Sequence, residues 1–177
     1  MTDKTQQRQI LRQRTAQFTN RHKSSEIIAK KLFELEEYEL AESIFIYLST
    51  DKEVDTFPIV ERAFKEGKRV FVPVTREEMR LAEIFPITPL TKGKYGIKEP
   101  QNAVISDFMP DIAIIPLVGF DAERNRLGQG KGYYDRFLQG FPGKKIALAF
   151  SIQKLMGIII DSNDIKMDMI ITEEETL

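Results

Sequence analysis

Between Arg126 and Asp135 the chain runs Arg126-Leu127-Gly128-Gln129-Gly130-Lys131-Gly132-Tyr133-Tyr134-Asp135, with three glycines alternating around one lysine. Residues of these types at this spacing can hold an anion. Glycine adopts positive φ and leaves its N–H open, and successive N–H groups in such a turn form a concave nest suited to phosphate. Lys131 adds a mobile positive charge inside the nest, and Arg126 a forked donor at its entrance. Tyr133 with Phe137 and Tyr134 with Leu138 are spaced as helical neighbours, so the loop opens a helix whose N-terminus also favours anions. A solvated turn leading into a helix is the plainer alternative. Neither of the two common phosphate motifs fits. A Walker loop needs glycine where Asn125 stands and Ser or Thr where Gly132 stands, and the dinucleotide fingerprint needs glycine where Tyr133 stands.

The elements that must position this loop follow from periodicity. Lys4 to Phe18 reads as a helix with Lys4, Arg8 and Arg12 on one face. Ser24 or Ser25 caps a second helix with Ile28, Leu32 and Leu35 as its apolar stripe. The runs Ser43–Leu48, Arg69–Val72, Asp111–Pro116 and Lys145–Phe150 are continuously apolar, as strands covered on both faces are. Leu81–Phe85 and Met167–Ile171 are two further strands. A helix follows Asp55 or Thr56, with Pro58 in its first turn and Val60, Ala63 and Phe64 inward. Residues 86–107 read as a long irregular connection. Strands alternating with helices predict an α/β fold with a mainly parallel sheet, in which ligands bind beyond the carboxyl ends of strands. Both the glycine-rich loop and Asp51–Asp55 fall on that edge.

The 177 residues fit a single domain with a sizeable core. With 26 basic and 27 acidic residues, no global field draws nucleic acid. The absence of cysteine excludes disulfides, thiolate nucleophiles and cysteine-ligated metals. The one histidine, His22, sits in a polar context that reads as an exposed loop, against a histidine-based triad or zinc site. A catalytic metal would then be a hard ion on carboxylates and phosphate, which points to Mg²⁺. Without a signal-peptide core or a membrane-length apolar run, the expectation is a soluble cytoplasmic protein.

Across nearly its whole length the chain resembles the 5-formyltetrahydrofolate cyclo-ligase (methenyltetrahydrofolate synthetase) family. The match is carried by Pro116-Leu117-Val118-Gly119-Phe120-Asp121, then Arg126-Leu127-Gly128 and Gly130-Lys131-Gly132-Tyr133-Tyr134-Asp135. Leu11-Arg12, Glu53-Val54-Asp55-Thr56, Gly67-Lys68, Gly96-Ile97-Lys98-Glu99-Pro100 and Asp164-Ile165-Lys166-Met167-Asp168 support it in order and spacing.

The resemblance implies one three-layer α/β/α domain over residues 1–177, with the mainly parallel, isomerase-like architecture shared with sugar-phosphate isomerases. It implies an enzyme that uses ATP and Mg²⁺ to close the ring of 5-formyltetrahydrofolate, releasing ADP and phosphate. ATP would be held by Arg8, Gln9, Ile10, Leu11 and Arg12 together with Arg126, Leu127, Gly128, Gln129, Gly130, Lys131, Gly132, Tyr133 and Tyr134. The folate would meet Thr50, Glu53 and Asp55, and also Gln129, Gly130, Lys131, Gly132 and Tyr133. Lys131, Arg126 and Tyr133 would be catalytic, and Asp135 and Asp164 would ligate Mg²⁺. Its partners would be these small molecules alone, with neither nucleic acid nor membrane, acting on a monomer.

Read from the residues, Asp55 is as well placed to cap the following helix as to bind a ligand. The chain departs from the family where many relatives carry arginine after the proline of the second strand. Here Pro73 is followed by Val74, with Arg76 or Arg80 as substitutes. Two competing readings are a non-catalytic module that senses a nucleotide or sugar phosphate, and an ATP-dependent enzyme of the same fold acting on another amide.

Overall fold

Seven strands form one sheet among the residues described by the computed structural model, which are 3–93 and 96–177. In chain order the elements are α1 (Lys4–Gln17), α2 (Arg21–Phe33), α3 (Glu36–Leu40), β1 (Ser43–Ile46), α4 (Phe57–Lys65), β2 (Arg69–Thr75), β3 (Met79–Ile84), β4 (Leu90–Lys92), β5 (Lys98–Pro100), β6 (Ile105–Ser106), β7 (Ile112–Ile115), β8 (Gly119–Phe120), β9 (Arg126–Leu127), α5 (Tyr133–Leu138), β10 (Lys144–Leu148) and β11 (Met169–Ile171). The sheet order is β11-β10-β7-β1-β2-β3-β6. The pairs from β11 to β2 are parallel; β3 and β6 add antiparallel at one edge. This is a mixed α/β fold with a mostly parallel central sheet.

Both faces of the sheet are covered, which is why its central strands lack polar alternation. On one face Ile44, Ile46, Val70, Val72, Ile112 and Ile114 pack under Ile28 and Leu32 of α2 and Ile59, Val60 and Ala63 of α4. On the other, Phe45, Phe71, Ala113 and Ile115 pack against Leu138 of α5, Phe120 and Met167. A smaller cluster joins Leu11 of α1 to Val118, Leu127, Leu155 and Ile158. The first helix therefore docks on the β8–β9 hairpin rather than on the sheet.

Several expectations need correction. The second helix begins at Arg21, with Asn20 as its cap residue; Ser24 and Ser25 lie buried inside it. The polar turn Arg21–Lys23 simply extends the helix, and Ser24 N donates to Asn20 O at 2.9 Å. His22 is consequently helical and exposed, 3.7 Å from a Glu26 carboxylate oxygen. The 86–107 connection is not irregular throughout, for β4 and β5 form an antiparallel pair and β6 joins the sheet. Residues 94 and 95 of that segment lie outside the described residues, as do residues 1 and 2 of the polar N-terminal segment.

One buried acid organises the approach to the glycine-rich loop. Asp121, 3% exposed, accepts from the N–H groups of Glu123 and Asn125 at 3.0 Å each and from Asn125 Nδ2 at 2.9 Å. It also accepts from Ile158 N at 2.9 Å. The acid thus shapes the β8–β9 turn and ties it to the segment under α1. Burial alone would raise its pKa, but the donors from Asn125, Ile158 and Glu123 outweigh it and hold the carboxyl below its ordinary value.

Replacing Asp121 by Ala should therefore destabilise the fold by about 2 kcal/mol, because buried donors are left unpaired. A folded-state pKa below the unfolded one gives a contribution that is complete above roughly pH 4 and lost as pH falls through the lowered value. In urea melts, the gap between wild type and Asp121→Asn should be constant near neutrality and should narrow in acid. An acid-independent gap would contradict this role.

Candidate functional site

The parallel strands β1 and β7 end side by side, so the segments that follow them share one edge of the sheet. After β7 the chain forms the β8–β9 hairpin and then the loop 128–132, with Gly132 at φ 66° standing as the cap of α5. Gly130 has φ 99°. A side chain at that position would be strained, and its Cβ would lie 3.2 Å from Arg8 Cζ. The loop thus turns through positive φ at Gly130 and Gly132, with a guanidinium laid against its central glycine.

That guanidinium comes from α1. Arg8 Nε donates to Gly128 O at 2.8 Å, and Arg12 donates to Gln129 Oε1 at 2.9 Å. Between helix and loop lies a cleft of about 690 Å³ lined by Thr5, Arg8, Gln9, Arg12, Gln13, Ala16, Gln129 and Gly130. Sequence reasoning brought Arg8, Gln9, Arg12, Gln129 and Gly130 to this place. Leu11 and Leu127, expected with them, are buried in the small apolar cluster and turn away from the cleft, so they support it from behind. Ile10 is half-buried.

What holds α1 there is largely polar. Gln7 is buried; its Nε2 donates to Gly157 O at 2.8 Å and its Oε1 accepts from Ile159 N at 3.1 Å. Lys4 binds both Asp161, at 2.7 Å, and Asp164. Lys4, Gln7 and Leu11 lie on one helical face, turned to the 157–164 segment, beside the face that bears Arg8 and Arg12. Gln7 and Asp121 are structural residues that sequence reasoning missed. A glutamine flanked by polar residues carries no periodic mark of burial.

Arg126 departs from its expected position at the entrance. It is 5% exposed and turned inward, donating to Asp135 Oδ1 at 2.8 Å, with a second nitrogen 3.4 Å from Pro116 O. Its Cζ stands 5.6 Å from the centre of the Tyr134 ring. Ile165 N also donates to Asp135 Oδ1, at 3.3 Å, which brings the 161–165 segment beside α5. Lys131 is exposed on the loop. Tyr133 is half-buried, with the Arg136 guanidinium 5.2 Å above its ring.

The β1 side supplies a second set of groups. Thr50 N and Oγ1 both donate to Glu53 Oε2 at 2.9 Å. Asp55 takes the capping alternative, since its Oδ1 accepts from Phe57 N at 3.0 Å. Thr56 is buried, donating to Tyr47 O at 2.7 Å. Burial raises the pKa of Glu53, against the donors of Thr50, and nearby Asp51 raises it further. Tyr134 is itself raised, by burial first and then by the charge of Glu53. The charge of Glu53, on the β1 edge, thus acts on the residue just beyond the glycine-rich loop. Arg80, a candidate substitute for the missing arginine, pairs with Asp107 at 2.7 Å in solvent.

Asp135 and Asp164 sit on neighbouring segments and offer hard oxygen donors, here bonded to Arg126 and Lys4. Among the described residues no group of three or more His, Cys, Asp or Glu converges. Two carboxylates fit Mg²⁺ only where phosphate oxygens and water complete its shell.

Comparison with known proteins places the chain in a family. Residues 1–173 match the 5-formyltetrahydrofolate cyclo-ligase family. The chain is 31% identical to the 5-formyltetrahydrofolate cyclo-ligase of Haemophilus influenzae, the alignment covering 82% of this chain and 83% of that one. With the Mus musculus protein of the same name it shares 32%, over 87% and 84%. Among solved structures, the 5,10-methenyltetrahydrofolate synthetase of Aquifex aeolicus superposes with a TM-score of 0.86 at 31% identity, over 98% of this chain and 91% of that one. That of Mycoplasma pneumoniae gives 0.75 at 28%, over 97% and 99%. On sequence and fold together, the chain belongs to the 5-formyltetrahydrofolate cyclo-ligase family.

Proposed function

We propose that this protein converts 5-formyltetrahydrofolate to 5,10-methenyltetrahydrofolate by an ATP-dependent ring closure that releases ADP and phosphate. The observation that carries the proposal is the cleft in which Arg8 and Arg12 of α1 meet the Gly128–Gly132 loop. Backbone N–H groups and cations converging on one cavity suit a triphosphate. Closing the ring requires loss of the formyl oxygen, a very poor leaving group. Phosphorylation of that oxygen converts it to phosphate, after which the folate 10-nitrogen attacks the carbon.

No protein nucleophile takes part in this sequence, in keeping with a chain that has no cysteine. The residues position and neutralise instead. Lys131 accompanies the transferring phosphoryl group, and Arg8 and Arg12 hold the chain of phosphates. Each charge-assisted contact contributes roughly 1.5–3 kcal/mol. Arg126 keeps Asp135 and the loop in place from inside. Thr50, Glu53 and Tyr133 line the folate side, and Asp55 shapes the turn between them. Mg²⁺, held by Asp135 and Asp164 with the phosphates, would neutralise charge on the leaving oxygens. Binding there requires Lys4 to yield Asp164.

The reading extends to one domain over residues 1–177, monomeric and cytoplasmic, on an isomerase-like framework. The single central sheet and its mostly parallel order support the domain and framework. No helix among the described residues is long and apolar enough to cross a membrane.

The direct test is the absorbance of methenyltetrahydrofolate formed by purified protein with ATP, Mg²⁺ and 5-formyltetrahydrofolate; a silent assay at high enzyme concentration would refute the proposal. Arg8→Ala should raise the KM for ATP about 10- to 100-fold, the loss of one charge-assisted contact, with the folate KM little changed. Lys131→Ala should lower kcat about 100-fold or more while folate affinity stays near wild type. Intact turnover in that variant would remove the lysine from the transfer step.

A further inference from the structure

Ring closure leaves a proton to be removed. When the 10-nitrogen attacks the phosphorylated formyl carbon, a C–N bond forms, the C=N π pair moves to the 5-nitrogen, and the 10-nitrogen becomes cationic. The 10-nitrogen must lose its proton before the 5-nitrogen pair expels phosphate with cleavage of the C–O bond. We propose that Glu53 is the base that takes this proton, an inference that rests on the function proposed above.

The geometry selects Glu53 from the carboxylates on this edge. Asp135 bonds Arg126, Asp164 bonds Lys4, and Asp55 caps α4. Glu53 is held differently. Both Thr50 donors fall on Oε2, and among the described residues Oε1 accepts nothing. The side chain is thus fixed through one oxygen and presents the other. Glu53 follows β1 on the sheet edge shared with the segment after β7, which leads to the glycine-rich loop, and its charge acts on Tyr134 just beyond that loop.

The titratable groups that interact with it electrostatically are Tyr47, just after β1, Tyr134 of α5, and Asp51 of its own segment. Among the described residues no lysine or arginine pairs with it, and burial pushes its pKa up. A carboxylate shifted upward is a better proton acceptor. Its proton is lost to solvent when product departs.

Glu53→Gln separates the two halves of the reaction. In rapid-quench experiments at saturating folate the variant should lose far less of the rate of ADP formation in the first turnover than of ring closure, because phosphorylation of the formyl oxygen does not need the base. Methenyltetrahydrofolate should then appear about 100-fold more slowly. Wild-type kcat should fall in acid as Glu53 is protonated, and this limb should vanish in Glu53→Gln. Glu53→Asp should keep the limb at reduced kcat.

The inference is overturned if Glu53→Gln slows ADP formation as much as ring closure, if the acid limb persists in it, or if Glu53→Asp turns over like wild type. Failure of the wild-type protein to make any methenyl product would instead refute the underlying function.

Discussion

The site is organised around a buried guanidinium that requires a carboxylate. Removing either partner of such a pair costs about 3–5 kcal/mol, because an uncompensated charge remains in low dielectric. Arg126 and Asp135 stand at the two ends of the glycine-rich segment, so their 2.8 Å contact closes it like a clasp. Everything between them, residues 127–134, is a chain held at both ends. A loop rich in glycine has large conformational entropy to lose, and the clasp removes much of it before any ligand arrives. A loop that is to hold a ligand in one geometry needs such pre-ordering, since the glycines themselves supply none.

The other components act on this closed loop from outside. Arg8 lies against Gly130 and bonds Gly128, so the outer wall of the nest belongs to another part of the chain. Asp121 holds the approach, and Tyr134 connects the loop to Phe45 in the sheet, their rings 6.2 Å apart. The sheet itself contributes no chemistry. Its parallel β1 and β7 bring Thr50–Glu53 and the loop, two segments nearly 80 residues apart, to the same edge.

Much of this was legible because apolar runs are strong signals. Ile44–Ile46, Val70–Val72, Ile112–Ile115 and Ile146–Leu148 are buried on both faces, and their lack of alternation announced parallel strands. The glycines marked the loop, and the spacing of Arg8 and Arg12 marked one helical face. Direction in the sheet was not readable for β3, whose residues pair antiparallel with β2 through the short turn after Thr75. Nor was the inward turn of Arg126, because an arginine beside glycines reads the same whether it meets a ligand or an acid nine residues on. Gln7 was missed for a related reason. A polar residue buried by individual hydrogen bonds leaves no period in the sequence.

The docking of α1 has a consequence for how the molecule is made. Its anchors at Gly157, Ile159 and Asp161 lie 150 or more residues further along the chain. Contacts so remote in sequence carry the largest loop-closure penalty and form late. The helix is therefore among the last elements to reach its place. Until then it stays a detached, largely polar helix, a form that resists premature aggregation because Leu11 alone is its fully buried apolar residue. The cleft between α1 and the glycine-rich loop comes into being only with that late docking.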